Sequence, residues 1–302
     1  METKFLVIIL AALFLSPLPC GAWYPRLTDE SFLDEKGPAP VIGKNRPYFI
    51  GPQETLVKLA RRGGLGYQTL TRANPEVDPW LPREGTKVIL PYASILPQNA
   101  GLGITINLAE LRLYYVWAEK NRRRIRIYPV AIGAEGSETP EGEFTITSRV
   151  EKPMWTVPPS IRQKRQGLPV SIPPGPDNPV GDHWLGLSAE GYGIHGTNKP
   201  FGLGRKVSSG CIRLYPEDIR DLFGRVTVGT PVRILYQPFK VGLKKNVLFI
   251  EVHPDEFGRI PDPLGEVLRQ KEGLGWRGEL DWKALWQEIK KARGIPVQIS
   301  IH

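Results

Sequence analysis

The chain has 302 residues, with 40 Lys and Arg against 31 Asp and Glu, a formal net charge of +9, and 41 % hydrophobic residues. That length suits two domains or one with appendages, and the apolar share is enough for a packed core. With 32 Gly, 30 Pro, two Cys and four His, the composition favours short strands and turns, excludes a disulfide scaffold and leaves little for a zinc cluster. No metal and no cofactor are expected.

In chain order, residues 5–15 (FLVIILAALFL) form an apolar run behind Lys4, and Cys20-Gly21-Ala22 supplies small residues for cleavage. The run is short of the roughly 20 residues a membrane span needs, so residues 1–22 read as a signal peptide. Residues 23–45 read as an extended linker. Loss of Cys20 on cleavage would leave Cys211 as the one cysteine of the mature chain. By count alone it is either a buried structural residue or a nucleophile.

Residues 46–92 have a pattern of their own. A short strand at 48–50 precedes Gly51-Pro52, then a helix with Leu56, Leu59 and Ala60 at i, i+3, i+4. A second helical piece over 67–73 ends at Asn74-Pro75, and a strand over 86–90 follows Gly85. This strand–helix–helix–strand order, with the entry at Tyr48 to Leu56, the Asn74-Pro75 turn and the exit Gly85-Thr86-Lys87-Val88, resembles a LysM module. The resemblance implies binding of N-acetylglucosamine-containing glycan between two loops, with Gly51, Gln53, Glu54, Thr55, Asn74 and Glu76 as candidate contacts.

Residues 101–236 change to short β-rich runs. Segments 111–117 and 125–132 flank a basic Asn121-Arg122-Arg123-Arg124 tip, read as a hairpin with a solvated turn. Residues 153–179 hold eight prolines, the texture of a long ordered loop framing a site. Residues 216–223 read as a short helix and 231–235 as a strand. In the extension 237–302, Trp282, Leu285, Trp286 and Ile289 fall on one helical face, expected to dock on the preceding domain.

The chemistry concentrates in Gly193-Ile194-His195-Gly196-Thr197 and Ser208-Ser209-Gly210-Cys211-Ile212-Arg213. A thiol nucleophile needs a base, and a third group to orient that base. Gly196 and Gly210 allow tight turns and close backbone approach to an oxyanion. Ile194 and Ile212 suggest that each reactive residue is held by a buried strand. An accessible Cys211 with a depressed pKa is therefore expected.

These segments, with Thr139-Pro140-Glu141-Gly142-Glu143-Phe144 and Pro153-Met154-Trp155, resemble the L,D-transpeptidase family with the YkuD-type catalytic domain. The combination with a LysM-like module resembles its lipoprotein-attaching subgroup. Where many members carry His two positions before the nucleophile, this chain has Ser209. The resemblance implies an α+β chain, a mainly β, sandwich-like catalytic domain after the small module. It implies Cys211 as nucleophile, His195 as base, Gly196 as the orienting carbonyl, and Gly210 and Cys211 N–H groups as oxyanion donors. Arg213, Thr197, Asn198 and Tyr192 become candidate substrate contacts. The implied partner is peptidoglycan, with an acceptor amine from a second diaminopimelate or an outer-membrane lipoprotein, in the periplasm or cell wall. The basic surface suits stem-peptide carboxylates; no interleaved aromatic-basic pattern points to nucleic acid. A sortase-like enzyme, an inactive glycan anchor and an L,D-carboxypeptidase remain open alternatives.

Overall fold

The computed structural model describes residues 39–120, 122–164 and 167–301. The expected signal peptide and most of the expected linker lie outside them, as does Cys20. No helix among the described residues is long and apolar enough to cross a membrane.

Arg46–Phe49 pairs antiparallel with Lys87–Leu90, and helices Leu56–Arg62 and Tyr67–Ala73 lie between them. Thr55 caps the first helix by accepting the Lys58 N–H, and Leu56, Leu59, Leu70, Val88 and Leu90 fill the small core. Part of the expected linker is strand, because Val41–Ile42 pairs with Ser94–Ile95.

The central element is an eight-stranded mixed sheet. In spatial order its strands are Ile212–Arg213, Gly193–His195, His183–Leu187, Gly142–Glu151, Pro231–Leu235, Gly103–Asn107, Arg112–Glu119 and Arg122–Pro129. Two neighbouring pairs run parallel, Gly193–His195 with Ile212–Arg213 and Pro231–Leu235 with Gly103–Asn107. The sheet curls until its edges meet, so it is a curled, partly closed sheet and not the expected sandwich. Just past the last strand, Ala131 exchanges both backbone hydrogen bonds with Arg213 on the opposite edge, at 3.0 and 2.9 Å. Ile106, Leu113, Ile146, Leu185, Ile194, Ile212 and Val232 fill the interior, with Ile219 and Leu222 from helix Pro216–Phe223. The hairpin turn is tighter than expected, for Arg122 already pairs with Glu119 inside the ladder.

The C-terminal extension holds more than one helix. Phe239–Lys244, Val247–Val252 and Val297–Gln298 form a second sheet, covered by helices Pro263–Gly273 and Trp282–Lys291. Leu285 packs within this unit, while Trp282 and Trp286 stay half exposed at 49 % and 52 %. The expected docking of that helix on the catalytic domain is therefore corrected: Glu288, paired with Arg293, fills the buried face beside Leu285.

What joins this unit to the central sheet is a buried ionic cluster. Lys240 Nζ donates to Glu110 at 2.7 Å and lies 3.1 Å from Glu251, and Arg112 donates to Glu251 at 2.8 Å. The Ser94 hydroxyl, the Ile95 N–H and His253 also contact Glu251. Burial alone would raise the Glu251 carboxyl, but Lys240, His253 and Arg112 hold it well below the usual carboxylate range. Glu110, Glu251 and His253 lie close enough to suggest a metal site. Lys240 and Arg112 already neutralise both carboxylates, so the cluster fits an ion-pair network. Replacing one partner leaves a buried charge uncompensated, which typically costs about 3–5 kcal/mol. Lys240→Met is expected to destabilise the protein by about that amount in denaturant unfolding; a loss within about 0.5 kcal/mol, the range of ordinary surface changes, would show the cluster to be dispensable.

Candidate active site

His195 ends its strand with Trp184 opposite it on one side and Arg213 on the other. The parallel register sets Ile194 beside Ile212, both fully buried, and so places Cys211 one step back, level with Gly193. The Gly193 N–H donates to the Cys211 sulfur, and the thiol approaches the Gly191 carbonyl at 3.6 Å. Gly210 makes the turn into Cys211 with φ +106°, and a Cβ there would sit 2.7 Å from the Tyr192 ring. No other residue fits that combination of backbone and space.

Two hydroxyls hold the turn. Thr139 Oγ1 accepts the Gly133 N–H and donates to the Gly210 carbonyl at 2.7 Å. Ser208 Oγ accepts the Gly210 N–H at 3.2 Å and donates to the Cys211 carbonyl. His195 Nδ1 donates to the Gly196 carbonyl at 2.7 Å, which leaves Nε2 as the base. Both residues line a cavity of about 1020 Å³. Its walls include Trp184, Val207, Arg213, Asn198 and Lys199 on one side. Met154, Trp155, Ile161 and Ile172 come from the proline-rich loop. Within that loop, Asn178 is fully buried and donates to the Pro153 carbonyl at 2.8 Å while accepting the Val180 N–H.

Burial pushes His195 down to about 4, with Arg213 adding to the effect against the Gly196 and Val180 carbonyls. Burial also pushes the Cys211 thiol up, against the Gly193 N–H and Arg213. The resting pair is thus neutral thiol and neutral imidazole. The expectation of a depressed thiol pKa is corrected: desolvation outweighs the one nearby guanidinium and the one N–H donor.

This arrangement can pass a thiol proton to Nε2 and build a covalent acyl intermediate. Residues 102–234 match the YkuD family, the L,D-transpeptidase catalytic domain. The chain is 40 % identical over 279 residues to the probable L,D-transpeptidase YcfS of Escherichia coli K12, covering 87 % of this chain and 86 % of that protein. It belongs to the L,D-transpeptidase family. It is also 36 % identical over 307 residues to the probable L,D-transpeptidase ErfK/SrfK of the same organism, across 96 % of this chain and 94 % of that one. The solved catalytic domain of the Enterococcus faecium L,D-transpeptidase overlaps 46 % of this chain and 100 % of its own, at 23 % identity and a TM-score of 0.35.

Of the residues expected at an L,D-transpeptidase site, Cys211, His195, Ser209, Arg213 and Asn198 share the cleft. Gly196 lies behind His195 as its hydrogen-bond acceptor. Thr197 does not line the cleft; it is buried, and its hydroxyl accepts the Lys199 N–H. Tyr192 packs against the core beside Gly210. The Gly210 N–H is occupied by Ser208, so it is not available to an oxyanion, whereas the Cys211 N–H bonds to none of the described residues. In the small module, Glu54 accepts from Tyr48, the Gly51 N–H and Arg62. Asn74 is buried and bonded to Leu70 and Ile89 backbone. Both serve the module's own fold, as Thr55 does through its cap; Gln53 and Glu76 are exposed.

Sequence reading missed Ser208, Asn178 and Trp184. Ser208 stood within the quoted motif, and no spacing distinguished the other two.

A raised thiol pKa has a kinetic consequence. Alkylation of Cys211 by iodoacetamide should rise about tenfold per pH unit from 7 to 9, because thiolate is the reacting species. A plateau below pH 7 would mean a preformed thiolate and would refute the neutral pair.

Proposed function

We propose that this chain is a cysteine-dependent L,D-transpeptidase acting on peptidoglycan in the periplasm. The observation that carries the reading is the free Cys211 beside a His195 whose Nδ1 is tied to a backbone carbonyl, within a cleft that also holds Arg213 and Lys199. Cationic side chains suit the carboxylates of a stem peptide.

In the first half-reaction Cys211 sulfur attacks the carbonyl joining the L-centre of diaminopimelate to the terminal D-Ala. The thiol proton passes to His195 Nε2 and from there to the departing D-Ala amine. The Cys211 N–H faces the oxyanion. A thioester remains on Cys211. In the second half-reaction an amine attacks that thioester, gives its proton to His195, and the thiolate is restored as a thiol. An amine from a second diaminopimelate gives a 3–3 crosslink; a lipoprotein lysine gives wall attachment. The backbone carbonyl of Gly196 orients the imidazole where other nucleophilic enzymes use a carboxylate.

The small module is read as LysM, with the rim formed by Gly51, Gln53 and Glu76 available to glycan. It is docked on the catalytic domain beside the active-site loop. Tyr67 and Gln68 N–H groups donate to the Leu203 and Gly204 carbonyls, and Arg205 lies 3.7 Å over the Tyr67 ring. Residues 1–22 would supply export.

Incubation of the protein with disaccharide-tetrapeptide should give, by intact mass spectrometry, a thioester adduct with release of D-Ala, absent in Cys211→Ala. His195→Ala should slow adduct formation by about 10²–10⁴-fold, the usual worth of a general base. Release of D-Ala with only hydrolysed tripeptide, even with added amine acceptor, would identify a carboxypeptidase. No adduct and no turnover would remove the enzymatic assignment.

A further inference from the structure

Trp184 is not accounted for by the reaction as drawn, yet it is the side chain laid directly on the base. The antiparallel register pairs Trp184 with His195 and Gly186 with Gly193, so all four residues share one face of the sheet. The indole and imidazole rings lie 5.5 Å apart, with planes only 18° from parallel. A ring this large can lie flat there because the two glycines leave a slot. A Cβ on Gly193 would stand 2.4 Å from the indole, and one on Gly186 would stand 3.1 Å from Nε1. Trp184 also lines the cleft.

We propose that Trp184 is a positioning residue for His195: held flat by the Gly186–Gly193 slot, its indole sets the plane of the imidazole toward Cys211 and stabilises the imidazolium formed when the thiol proton is transferred. The inference rests on the acyl-transfer reading for its kinetic consequence, though not for its geometry. The physical need is visible around the base. His195 is 4 % exposed, so water cannot solvate a charge on it. Arg213 on the adjoining strand repels that charge, and the Gly196 and Val180 carbonyls are the groups that favour it. Cys211 lines the same cleft, and becomes its counter-ion once the proton has moved. Among the described residues no carboxylate contributes to the balance at His195. The face of an indole attracts a cation and needs no charge of its own, so it adds stabilisation without repelling the acyl donor's carboxylates.

Two variants separate this role from that of a mere cleft wall. Trp184→Leu keeps an apolar side chain but loses the π face; Trp184→Phe keeps a smaller face in the same place. With disaccharide-tetrapeptide, Trp184→Leu is expected to lower kcat for Cys211 acylation roughly tenfold, in the range of a buried cation–π contact, with KM within about twofold. Trp184→Phe is expected to recover most of the loss. Gly193→Ala, which fills the slot, should resemble Trp184→Leu. A raised KM with kcat retained would make Trp184 a substrate wall and overturn the proposal, as would equal losses in Leu and Phe variants.

A second readout needs no substrate. In protein labelled at histidine nitrogen, with His195→Gln to assign the signal, the His195 imidazole should titrate at lower pH in Trp184→Leu than in the wild type. In Trp184→Phe the midpoint should return toward the wild-type value. An unchanged or higher midpoint in the Leu variant would show that the indole only excludes water, and would overturn the proposal. If the stem peptide fails to acylate even the wild type while the titration behaves as expected, the substrate assignment falls and the stacking role stands.

Discussion

The parallel pairing of Gly193–His195 with Ile212–Arg213 is the constraint on which the site depends. His195 and Cys211 stand sixteen positions apart in the chain, and nothing local to either residue brings them together. Ile194 and Ile212 are both fully buried in the same core, so the register is set by the burial of two β-branched side chains. A slip of one residue would turn Ile212 out and Arg213 in. The exchange of backbone hydrogen bonds between Ala131 and Arg213 then ties this edge to the far edge of the sheet, so the nucleophile turn is anchored from both sides.

The electrostatics follow from how deeply this places the base. A buried imidazole with carbonyl acceptors and an arginine neighbour is kept neutral, and a half-desolvated thiol keeps its proton. Under the proposed mechanism such a pair stays neutral until a substrate presents its carbonyl. Charge separation then occurs only along the reaction, where the Cys211 N–H and the groups around His195 can meet it. Thr139 and Ser208 supply the rigidity, since their hydroxyls each bridge two backbone groups around Gly210.

The flanking units are joined to this centre by two different means. The C-terminal sheet is held by the charged cluster of Glu110, Arg112, Lys240 and Glu251, deeply buried and internally neutralised. The small module is held through backbone contact at Gly66 and Gly204, where a Cβ on Gly204 would approach Gly66 within 2.5 Å. That contact lies just before the Lys206–Ser208 strand leading to the nucleophile. The module is thereby packed against the chain that builds the cleft wall.

Local signals were enough for the elements that declare themselves by periodicity or by turn residues. The two helices and the second strand of the small module, helix Pro216–Phe223 and strand Pro231–Leu235 stand where the pattern put them, while the module's first strand begins two residues earlier, at Arg46–Phe49. The Gly-Cys-Ile-Arg and Ile-His-Gly runs pointed to Cys211 and His195, which the fold brings into one cleft, because few residue types can do that chemistry in so small an inventory of Cys and His. The C-terminal sheet was missed because its strands are buried through side chains such as Lys240 and Glu251, which look solvent-facing until their partners are known. Trp282 and Trp286 misled for the opposite reason, being apolar and yet exposed. What the sequence marked out by itself was the pair of candidate reacting side chains, Cys211 and His195. Only the tertiary structure decided their protonation state, the loss of the Gly210 N–H to Ser208, and the indole stacked on His195. Each of those depends on burial and on neighbours brought from distant parts of the chain, and neither is encoded in local spacing.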